Sequence, residues 1–234
     1  MLLGKKILAV VPARSGSKGI PDKNIRKLCG TSLIGYTGNC LSELSWLDAS
    51  IISTDSESYA EEGKRYGIDA PFIRPAHLAS DTATAIDTMI HALKESEVHY
   101  GCTFDLFLLV EPTSPLRRPE DILGVTQLLA ESGADSVITV SPVSSKQHPH
   151  KILKMEDNHL VHYEAAGEWV TARQQLSELY IRNGVCYAVT RQCLLEQNRL
   201  FTDNTLPYVI ERELVNIDES VDFEWAEFLL GRSS

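Results

Sequence analysis

The sequence predicts an α/β fold in which a mostly parallel central sheet lies between two layers of helices. Short, continuously apolar runs alternate with segments of helical periodicity from residue 6 to about residue 143. Continuous apolar runs are typical of strands buried on both faces, and their alternation with helices is typical of βαβ units. The most unusual polar segments follow these runs, where such sheets bind their ligands.

Apolar runs predict the strands of this sheet at residues 6–12, 50–53, 104–110, 136–140 and 185–190. Helices are predicted at residues 33–44, 58–66, 84–97, 119–132 and 223–230. In the third helix, Ile86, Ile90 and Leu93 recur at helical spacing. The fourth begins with Pro119, which is favoured in the first turn of a helix.

The chain is predicted to form one domain, residues 1–234, with an inserted arm at about residues 142–184. In the arm, two runs at residues 152–156 and 160–163 flank Asp157 and Asn158, a pair that favours a hairpin turn. The residues after this hairpin are polar and irregular. Such an insertion is a common device for dimerisation or for covering a site, so the expected protein partner is a second copy in a homodimer.

Composition and charge limit the possible functions. The formal net charge is −10 at pH 7 and the basic residues are scattered, which argues against nonspecific nucleic-acid binding. The five cysteines, an odd number without CxxC spacing, are expected to be reduced thiols. No apolar run has the length of a membrane span or the flanks of a signal peptide. We therefore expect a cytoplasmic protein that has no membrane partner.

A segment rich in glycine, serine, lysine and proline, residues 14–24, follows the first apolar run. Its two glycines allow successive backbone N–H groups to face one point, as in the nests that bind phosphate. Arg14, Lys18 and Lys23 add positive charge that would stabilise a leaving pyrophosphate. The segment matches neither GxxxxGK[ST] nor GxGxxG. The alternative is a solvated, flexible basic loop, and composition alone leaves it open.

Six parts of the chain, in the same order along almost its whole length, resemble the motifs of the CMP-sialic acid synthetases (acylneuraminate cytidylyltransferases). They lie at residues 12–24, 53–56, 74–82, 112–117, 173–175 with 182–184, and 217–218 with 222–223. The resemblance implies a three-layer, Rossmann-like nucleotidyltransferase fold and a homodimer whose arm closes over a neighbour's site. The first segment favours the sialic acid branch over the CMP-Kdo synthetases.

The resemblance assigns the nucleotide to the loop after the first strand and to residues 74–82. It implies that Arg14 and Lys23 contact the phosphates of CTP and that Asn24 contacts a phosphate or the ribose. The nucleotide-binding candidates are Arg14, Ser15, Gly16, Ser17, Lys18, Lys23, Asn24, Arg74, Asp81 and Thr82. For Arg74 the alternative is a surface ion pair, which is common and weakly stabilising.

Cations of the arm region resemble the residues that meet the sugar and its carboxylate, for which the planar arginine fork is suited. The sugar-binding candidates are Glu111, Thr113, Ser114, Lys151, Arg173, Gln174, Arg182 and Asn183. The family often has glutamine at position 111, and the Glu111 carboxylate would repel an acidic sugar unless it faces a hydroxyl or an amide. The alternatives are a cap on the next turn for Glu111 and arm–arm contacts in a dimer for the cations.

The closing acidic segment resembles the metal site of the family, which usually reads Asp-x-Asp. Here Asn216 takes the first of these positions, so Asp218 is the predicted ligand of Mg²⁺ (or Mn²⁺) and the amide of Asn216 assists. Asp222 is predicted to be the N-cap of the last helix. His148 and His150 lack the further ligands that a zinc site would need, and we interpret them as loop residues near the sugar.

The expected reaction is an in-line displacement in which the anomeric hydroxyl of an acidic nine-carbon sugar attacks the α-phosphorus of CTP and pyrophosphate leaves. The predicted catalytic residues are Arg14, Lys23 and Asp218. N-acetylneuraminate is the favoured sugar, and legionaminic acid or another nonulosonate or Kdo-type sugar is the alternative. A second alternative is a nucleotide-binding homologue in which Glu111 and Asn216 have silenced the chemistry.

Overall fold

The structure, a computed structural model, describes residues 1–16, 19–80 and 82–232. Its strands are β1 (Ile7–Pro12), β2 (Lys27–Leu28), β3 (Thr31–Ser32), β4 (Ala49–Ser53), β5 (Leu106–Leu109), β6 (Ser136–Pro142), β7 (Leu153–Glu156), β8 (His159–His162), β9 (Tyr180–Thr190) and β10 (Thr205–Val209). Its α-helices are α1 (Leu33–Ser42), α2 (Glu57–Arg65), α3 (Ala85–Tyr100), α4 (Pro119–Ser132) and α5 (Ser220–Arg232). None of the helices in these described ranges has the length and apolar content that crossing a membrane would require.

Six strands form the central sheet in the order β10-β6-β9-β5-β1-β4. Strand β1 pairs in parallel with β4 and β5, and β10 pairs in parallel with β6. Strand β9 runs antiparallel to both of its neighbours. The prediction of a mostly parallel sheet is confirmed, and the carboxyl ends of β1, β4 and β5 meet at one edge of it.

Apolar side chains alternate between the two faces of β1, and each face packs against its own layer of helices. Ile7, Ala9 and Val11 belong to one cluster, together with residues of α1, α2 and α4. Leu8 and Val10 belong to the other, together with residues of α3. All five are fully buried, which explains why β1 is an uninterrupted apolar run in the sequence.

A third apolar cluster fixes the segment between β10 and α5. Val215 and Ile217 pack with Phe223 of α5. The backbone N–H of Ile217 donates a hydrogen bond of 2.8 Å to the carbonyl of Thr113, just beyond β5. Asp218, the next residue, is thereby held beside the edge of the sheet at which β5 ends.

The arm leaves the sheet after Pro142 and returns at Tyr180, and these two residues pair with each other. The predicted hairpin is confirmed as β7 and β8, and Asp157 and Asn158 in its turn both have positive φ, at 47° and 63°, as a type I′ turn requires. Because β9 begins at Tyr180, Arg182 lies on the central sheet and not on the arm, where the sequence analysis places it.

Strand β10 is absent from the sequence prediction. It lies at the edge of the sheet, its residues are only partly buried, and Pro207 interrupts its apolar character. Proline is tolerated in an edge strand because one side of that strand needs no N–H donors. The sequence pattern of such a strand is therefore weak.

Replacing Glu97 of α3 with glutamine is expected to destabilise the fold by about 1 kcal/mol near pH 7. The Glu97 carboxylate accepts hydrogen bonds from Arg191 Nε at 2.7 Å and from the Phe104 N–H at 3.1 Å. The bond from Arg191 lowers the pKa of Glu97 against the opposing effect of burial, so the unfolded chain binds this proton more tightly. The stabilisation is present above the unfolded pKa of the carboxyl group and is lost as pH falls through the lower folded pKa.

Urea unfolding at a series of pH values from 7 to 3 measures this difference. The gap between the wild type and Glu97→Gln should close on acidification, whereas Glu95→Gln, an exposed carboxylate of the same helix, should change stability little at any pH. A gap that stays constant down to pH 3 would contradict the assigned interaction.

Candidate active site

The candidate active site lies at the carboxyl ends of β1, β4 and β5. Two polar residues, Ser15 after β1 and Asp55 after β4, are in contact there. The backbone N–H of Ser15 donates a hydrogen bond to Asp55 Oδ1 at 2.9 Å, and the Ser15 hydroxyl donates one to Asp55 Oδ2 at 2.9 Å. Burial opposes ionisation of Asp55, but these two bonds together lower its pKa. Asp55 thus anchors the start of the loop after β1, which the sequence predicts to bind phosphate; this role of Asp55 is not predicted from the sequence.

Arg14 lies directly before this anchor and is partly buried. Its NH1 lies 3.5 Å from the carbonyl of Ala79, and its own carbonyl lies 3.5 Å from Asn24 Nδ2. Arg14 and the buried Asn24 are therefore close together, as the predicted phosphate site requires. Gly16 follows in the same loop, while the candidates Ser17 and Lys18 fall outside the described residues.

Lys23 joins the predicted phosphate loop to the predicted metal segment. Its Nζ donates to the Ile217 carbonyl at 2.7 Å and to Asp218 Oδ1 at 3.0 Å. The Lys23 side chain is 12% exposed, whereas that of Asp218 is 70% exposed. A cation from the beginning of the chain and a carboxylate from its end thus meet at an accessible point.

A cavity of about 280 Å³ lies at the carboxyl ends of β1 and β5. Its apolar wall includes Val10 and Met89, and its polar wall includes Arg14, Arg74 and Glu111. Three described residues of this wall are therefore candidates from the sequence: Arg14 and Arg74 for the nucleotide, and Glu111 for the sugar.

Arg74 is 5% exposed, so the alternative of a surface ion pair is wrong. Its guanidinium donates to the carbonyl of Ser53 and, at 3.1 Å, to the Ser53 hydroxyl. Burial lowers the pKa of Arg74 to about 10, and the charge of Asp55 opposes this effect. Arg74 stays cationic at neutral pH and forms a positive wall of the cavity.

The segment after Arg74 contributes small polar side chains to the same cavity. Ser80, Thr84 and Thr88 line it, and the sequence analysis assigns none of the three to the site. The exposed Thr82 lies next to this lining, with its hydroxyl 3.1 Å from that of Ser80. Asp81 falls outside the described residues.

Glu111 follows β5 and faces the turn that contains Gly184. Its Oε2 lies 2.6 Å from the position that a Cβ on Gly184 would occupy, and Ser114 Oγ and Asn216 Nδ2 lie 3.0 Å and 3.6 Å from the same point. Burial raises the pKa of Glu111 and the charge of Arg117 is the largest effect that opposes it; Asp218 adds to the increase, and Arg182 and Lys23 also oppose it. The two departures from the family pattern, Glu111 and Asn216, therefore lie side by side.

Several predicted sugar-binding groups are already engaged within the chain. The hydroxyl of Ser114 donates to the carbonyl of Asn183 at 2.9 Å. The side chain of Asn183 bridges Ser141 Oγ at 3.1 Å and the Val185 N–H at 3.2 Å. These bonds shape the start of β9. The side chain of Arg182, in the same segment, is exposed, and its positive charge lowers the pKa of Glu111.

The structure places Lys151, Arg173 and Gln174 on the arm, where all three are exposed. Within the described part of the chain, none of them forms a hydrogen bond or ion pair with Glu111 or Asp218. Arg173 instead lines a second cavity of about 280 Å³ at the base of the arm, which His148 also lines.

Asp222 holds the backbone that carries the predicted metal ligand. Its Oδ2 accepts hydrogen bonds from the N–H groups of Asp218 at 2.8 Å and Glu219 at 2.7 Å. Helix α5 begins at Ser220, so the predicted N-cap position of Asp222 is wrong, although its carboxylate does cap the helix from the first turn. The side chain of Asp218 remains turned to solvent and to Lys23.

The donor set fits a hard divalent cation. Carboxylate and amide oxygens are available from Asp218 and Asn216, and Mg²⁺ at phosphate sites needs only one or two carboxylates beside the substrate oxygens. No group of three or more His, Cys, Asp or Glu side chains suited to a metal occurs in the ranges that the structure describes.

Replacing Gly184 with alanine is expected to lower kcat/KM at least about tenfold and to destabilise the fold by about 1–3 kcal/mol. Gly184 has φ +71°, and the new methyl group would collide with Glu111 Oε2 and Ser114 Oγ. Gly133 provides a matched control because its φ is +70° but nothing lies within 4 Å of its added Cβ. Gly133→Ala should lose stability without losing activity, and equal activity losses in both variants would contradict the assigned crowding.

Comparison with known proteins identifies relatives and a fold. A family model described as "Cytidylyltransferase" matches residues 8–217. The chain is 33% identical to the CMP-N,N'-diacetyllegionaminic acid synthase of Legionella pneumophila, over 94% of each protein. It is 30% identical to the N-acylneuraminate cytidylyltransferase of Streptococcus agalactiae, over 93% of this chain and 52% of that protein. The solved structure of CMP:2-keto-3-deoxy-manno-octonic acid synthetase complexed with CTP aligns with 98% of this chain and 100% of its own at a TM-score of 0.72 and 15% identity, which shows a shared fold.

Proposed function

Because the chain belongs to the cytidylyltransferase family, we propose that it transfers CMP from CTP to the anomeric hydroxyl of an acidic nine-carbon sugar and releases pyrophosphate. The observation that carries the proposal is the contact of 3.0 Å between Lys23 Nζ and Asp218 Oδ1. It joins a cation suited to phosphate and a carboxylate suited to a metal at the edge of the sheet where ligands bind.

The nucleotide is proposed to occupy the cavity between β1 and α3. Its apolar wall suits the base and ribose, and Arg14 and Arg74 provide positive charge at one side. Backbone N–H groups of the loop after β1 and the ammonium of Lys23 would hold the phosphates. This arrangement places the β- and γ-phosphates toward Lys23 and leaves the α-phosphorus facing the region of Glu111.

The sugar is proposed to bind between Glu111 and Arg182. Arg182 would pair with the carboxylate of the sugar, and Thr113 and Glu111 would contact its hydroxyl groups. The anomeric hydroxyl would then approach the α-phosphorus opposite the leaving pyrophosphate. Arg14 and Lys23 would stabilise the charge that develops on pyrophosphate.

Asp218 is proposed to hold Mg²⁺ or Mn²⁺ with help from Asn216, and the bound cation would supply Lewis-acid stabilisation of phosphate charge. Lys23 would share the Asp218 carboxylate and so fix its orientation. Asp222 would support the same loop through its two backbone hydrogen bonds.

We also propose a homodimer in which the arm of one copy approaches the site of the other. The arm exposes large apolar side chains, among them Met155, Leu160 and Trp169, which are 71%, 68% and 74% exposed in the single chain. Exposed apolar groups in one region are typical of an association surface. The arm cations Lys151 and Arg173, with Gln174, would then contact the sugar bound by the neighbouring copy.

A cytoplasmic location belongs to the same proposal, since the cysteines that the structure describes are unpaired.

Two sugars are leading candidates. The order and content of the sequence motifs favour N-acetylneuraminate, whereas the relative with 33% identity carries the name of a legionaminic acid enzyme. Both sugars are nine-carbon acids with the same carboxylate and anomeric hydroxyl, so the proposed contact of Arg182 with the carboxylate applies to either. The choice between them depends on the groups around the acylamino substituents.

Pyrophosphate release in the presence of Mg²⁺ tests the proposal. CTP, UTP, ATP and GTP would each be combined with N-acetylneuraminate, N,N'-diacetyllegionaminate and Kdo. We expect a strong signal with CTP and one nine-carbon acid, and that acid is the substrate. Equal release with all four nucleotides, or no release across the panel while CTP still binds, would contradict the proposed function.

A further inference from the structure

A further cavity, of about 530 Å³, is bordered by Tyr36 of α1, by the residues just before α4 and by the end of α5. Its volume is within the range of sites that bind small molecules. In the part of the chain that the structure describes, no residue lines both this cavity and the one that Arg14 and Arg74 line. The proposed reaction therefore gives this cavity no role.

Arginine side chains dominate the lining of this cavity, which is called the arginine cavity below. Its described lining contains four arginines, Arg117, Arg118, Arg212 and Arg232, and one carboxylate, Glu213. The arginines come from three segments that are far apart in the sequence, and the whole chain has a net charge of −10. The fold thus concentrates positive charge at one place on an acidic protein, and such a place attracts anions.

Only part of this positive charge is compensated within the chain. Arg212 pairs with Asp121 through two hydrogen bonds, of which the one from NH1 to Oδ1 is 2.7 Å long. The guanidinium of Arg117 donates to backbone carbonyls. Among the described residues, Arg118 and Arg232 form no ion pair with a carboxylate. An anionic ligand would supply the partner that these two cations lack.

The apolar part of the lining indicates what else the ligand contains. Tyr36, Leu116 and Leu229 belong to this part. The hydroxyl of Tyr36 donates to the carbonyl of Leu28 at 3.2 Å, so its polar group is already engaged. Tyrosine rings and arginine guanidinium groups both stack on the faces of nucleobases. A ligand that fits both parts of the cavity has an anionic group and a flat aromatic group.

We propose that the arginine cavity binds a nucleoside phosphate and is a second nucleotide site, separate from the candidate active site. Arg118 and Arg232 would pair with the phosphates, and the apolar wall would contact the base. The ligand would lie against the segment that follows β5, in which Arg117 donates to the carbonyl of Glu111. The inference goes beyond the proposed function and does not depend on it.

Binding of ATP without Mg²⁺, measured by isothermal titration calorimetry, tests the inference without any turnover. Wild type would be compared with the double variant Arg118→Gln/Arg232→Gln, the active-site variant Lys23→Met and the control Arg199→Gln, which removes an exposed arginine outside both cavities. We expect the Kd for ATP to rise at least about tenfold in the double variant. It should change less than about twofold in Lys23→Met and in Arg199→Gln. Unchanged unfolding midpoints would show that each variant is folded.

Tripolyphosphate, which carries the phosphate charges without a nucleoside, tests the role of the apolar wall. Wild type should bind it at least about fivefold more weakly than ATP. The inference is overturned if wild type shows no saturable ATP binding, if the double variant keeps the wild-type Kd, if Lys23→Met abolishes the binding, or if tripolyphosphate binds as tightly as ATP. ATP binding that depends on Arg118 and Arg232, combined with no pyrophosphate release by wild type, would retain this site and reject the proposed reaction.

Discussion

Replacing Asp218 with alanine is expected to lower kcat/KM for pyrophosphate release by at least about 10³-fold while leaving the fold intact. The side chain is 70% exposed and has Lys23 as its partner, so its loss removes little packing. What it removes is the carboxylate that would hold the cation against the phosphates. Steady-state kinetics at saturating Mg²⁺ and a urea unfolding curve measure the two parts of this prediction.

The neighbouring carboxylate supplies the control for Asp218. Glu219 is exposed and precedes helix α5, so Glu219→Gln changes the charge of the segment without touching the site. It should keep kcat/KM within about twofold of wild type. A fully active Asp218→Ala enzyme would remove Asp218 from the proposed catalytic residues and contradict its role as the metal ligand.

Replacing Arg117 with methionine is expected to destabilise the protein by about 3–5 kcal/mol. The side chain is 7% exposed. Its Nε donates to the Val185 carbonyl at 2.7 Å, its NH1 donates to the Thr37 hydroxyl at 3.2 Å, and its NH2 donates to the carbonyl of Glu111. Methionine fills the space but leaves these buried acceptors without donors.

The consequence reaches the active site because Arg117 ties the end of β5 to the start of β9. Arg117→Lys retains the charge but loses the planar fork, so it should be folded, less stable than wild type and reduced in kcat/KM. Arg118→Met, at the next position with an exposed side chain, should change stability by less than about 0.5 kcal/mol. Urea unfolding of the three variants gives the comparison, and an Arg117→Met protein as stable as Arg118→Met would contradict the assigned role.

Much of the fold is predictable from the sequence because burial leaves a strong pattern. Strand β1 is covered on both faces and reads as an unbroken apolar run, and helix α4 is marked at its start by Pro119. Strand β10 and the first residues of β9 are not predictable in this way. Pro207 lies in β10 at the edge of the sheet, and the exposed residues Tyr180 and Arg182 lie where β9 leaves the arm. At both places polar and apolar residues occur without the regular pattern of a buried strand.

The candidate site is less accessible to sequence reasoning, since its residues are far apart along the chain. The types of residue at Lys23 and Asp218 indicate phosphate and metal binding, but no local pattern indicates that the two touch across 195 positions. Ser114 and Asn183, which the sequence predicts to bind the sugar, also hold the start of β9 through hydrogen bonds within the chain, and no local pattern indicates this. Asp55 is a further residue whose role is not predictable from local pattern. It lies in a short polar motif after β4, and nothing in that motif indicates that its partner is Ser15.

Direct transfer of CMP to the sugar is tested by the amounts of CMP-sugar, free CMP and pyrophosphate formed from CTP and the preferred nine-carbon acid. Liquid chromatography with mass spectrometry would measure all three products in one reaction. We expect CMP-sugar and pyrophosphate in equal amounts, with no more free CMP than decay of the CMP-sugar produces. Pyrophosphate accompanied by equal free CMP would indicate hydrolysis of CTP by water, and it would contradict direct transfer to the sugar.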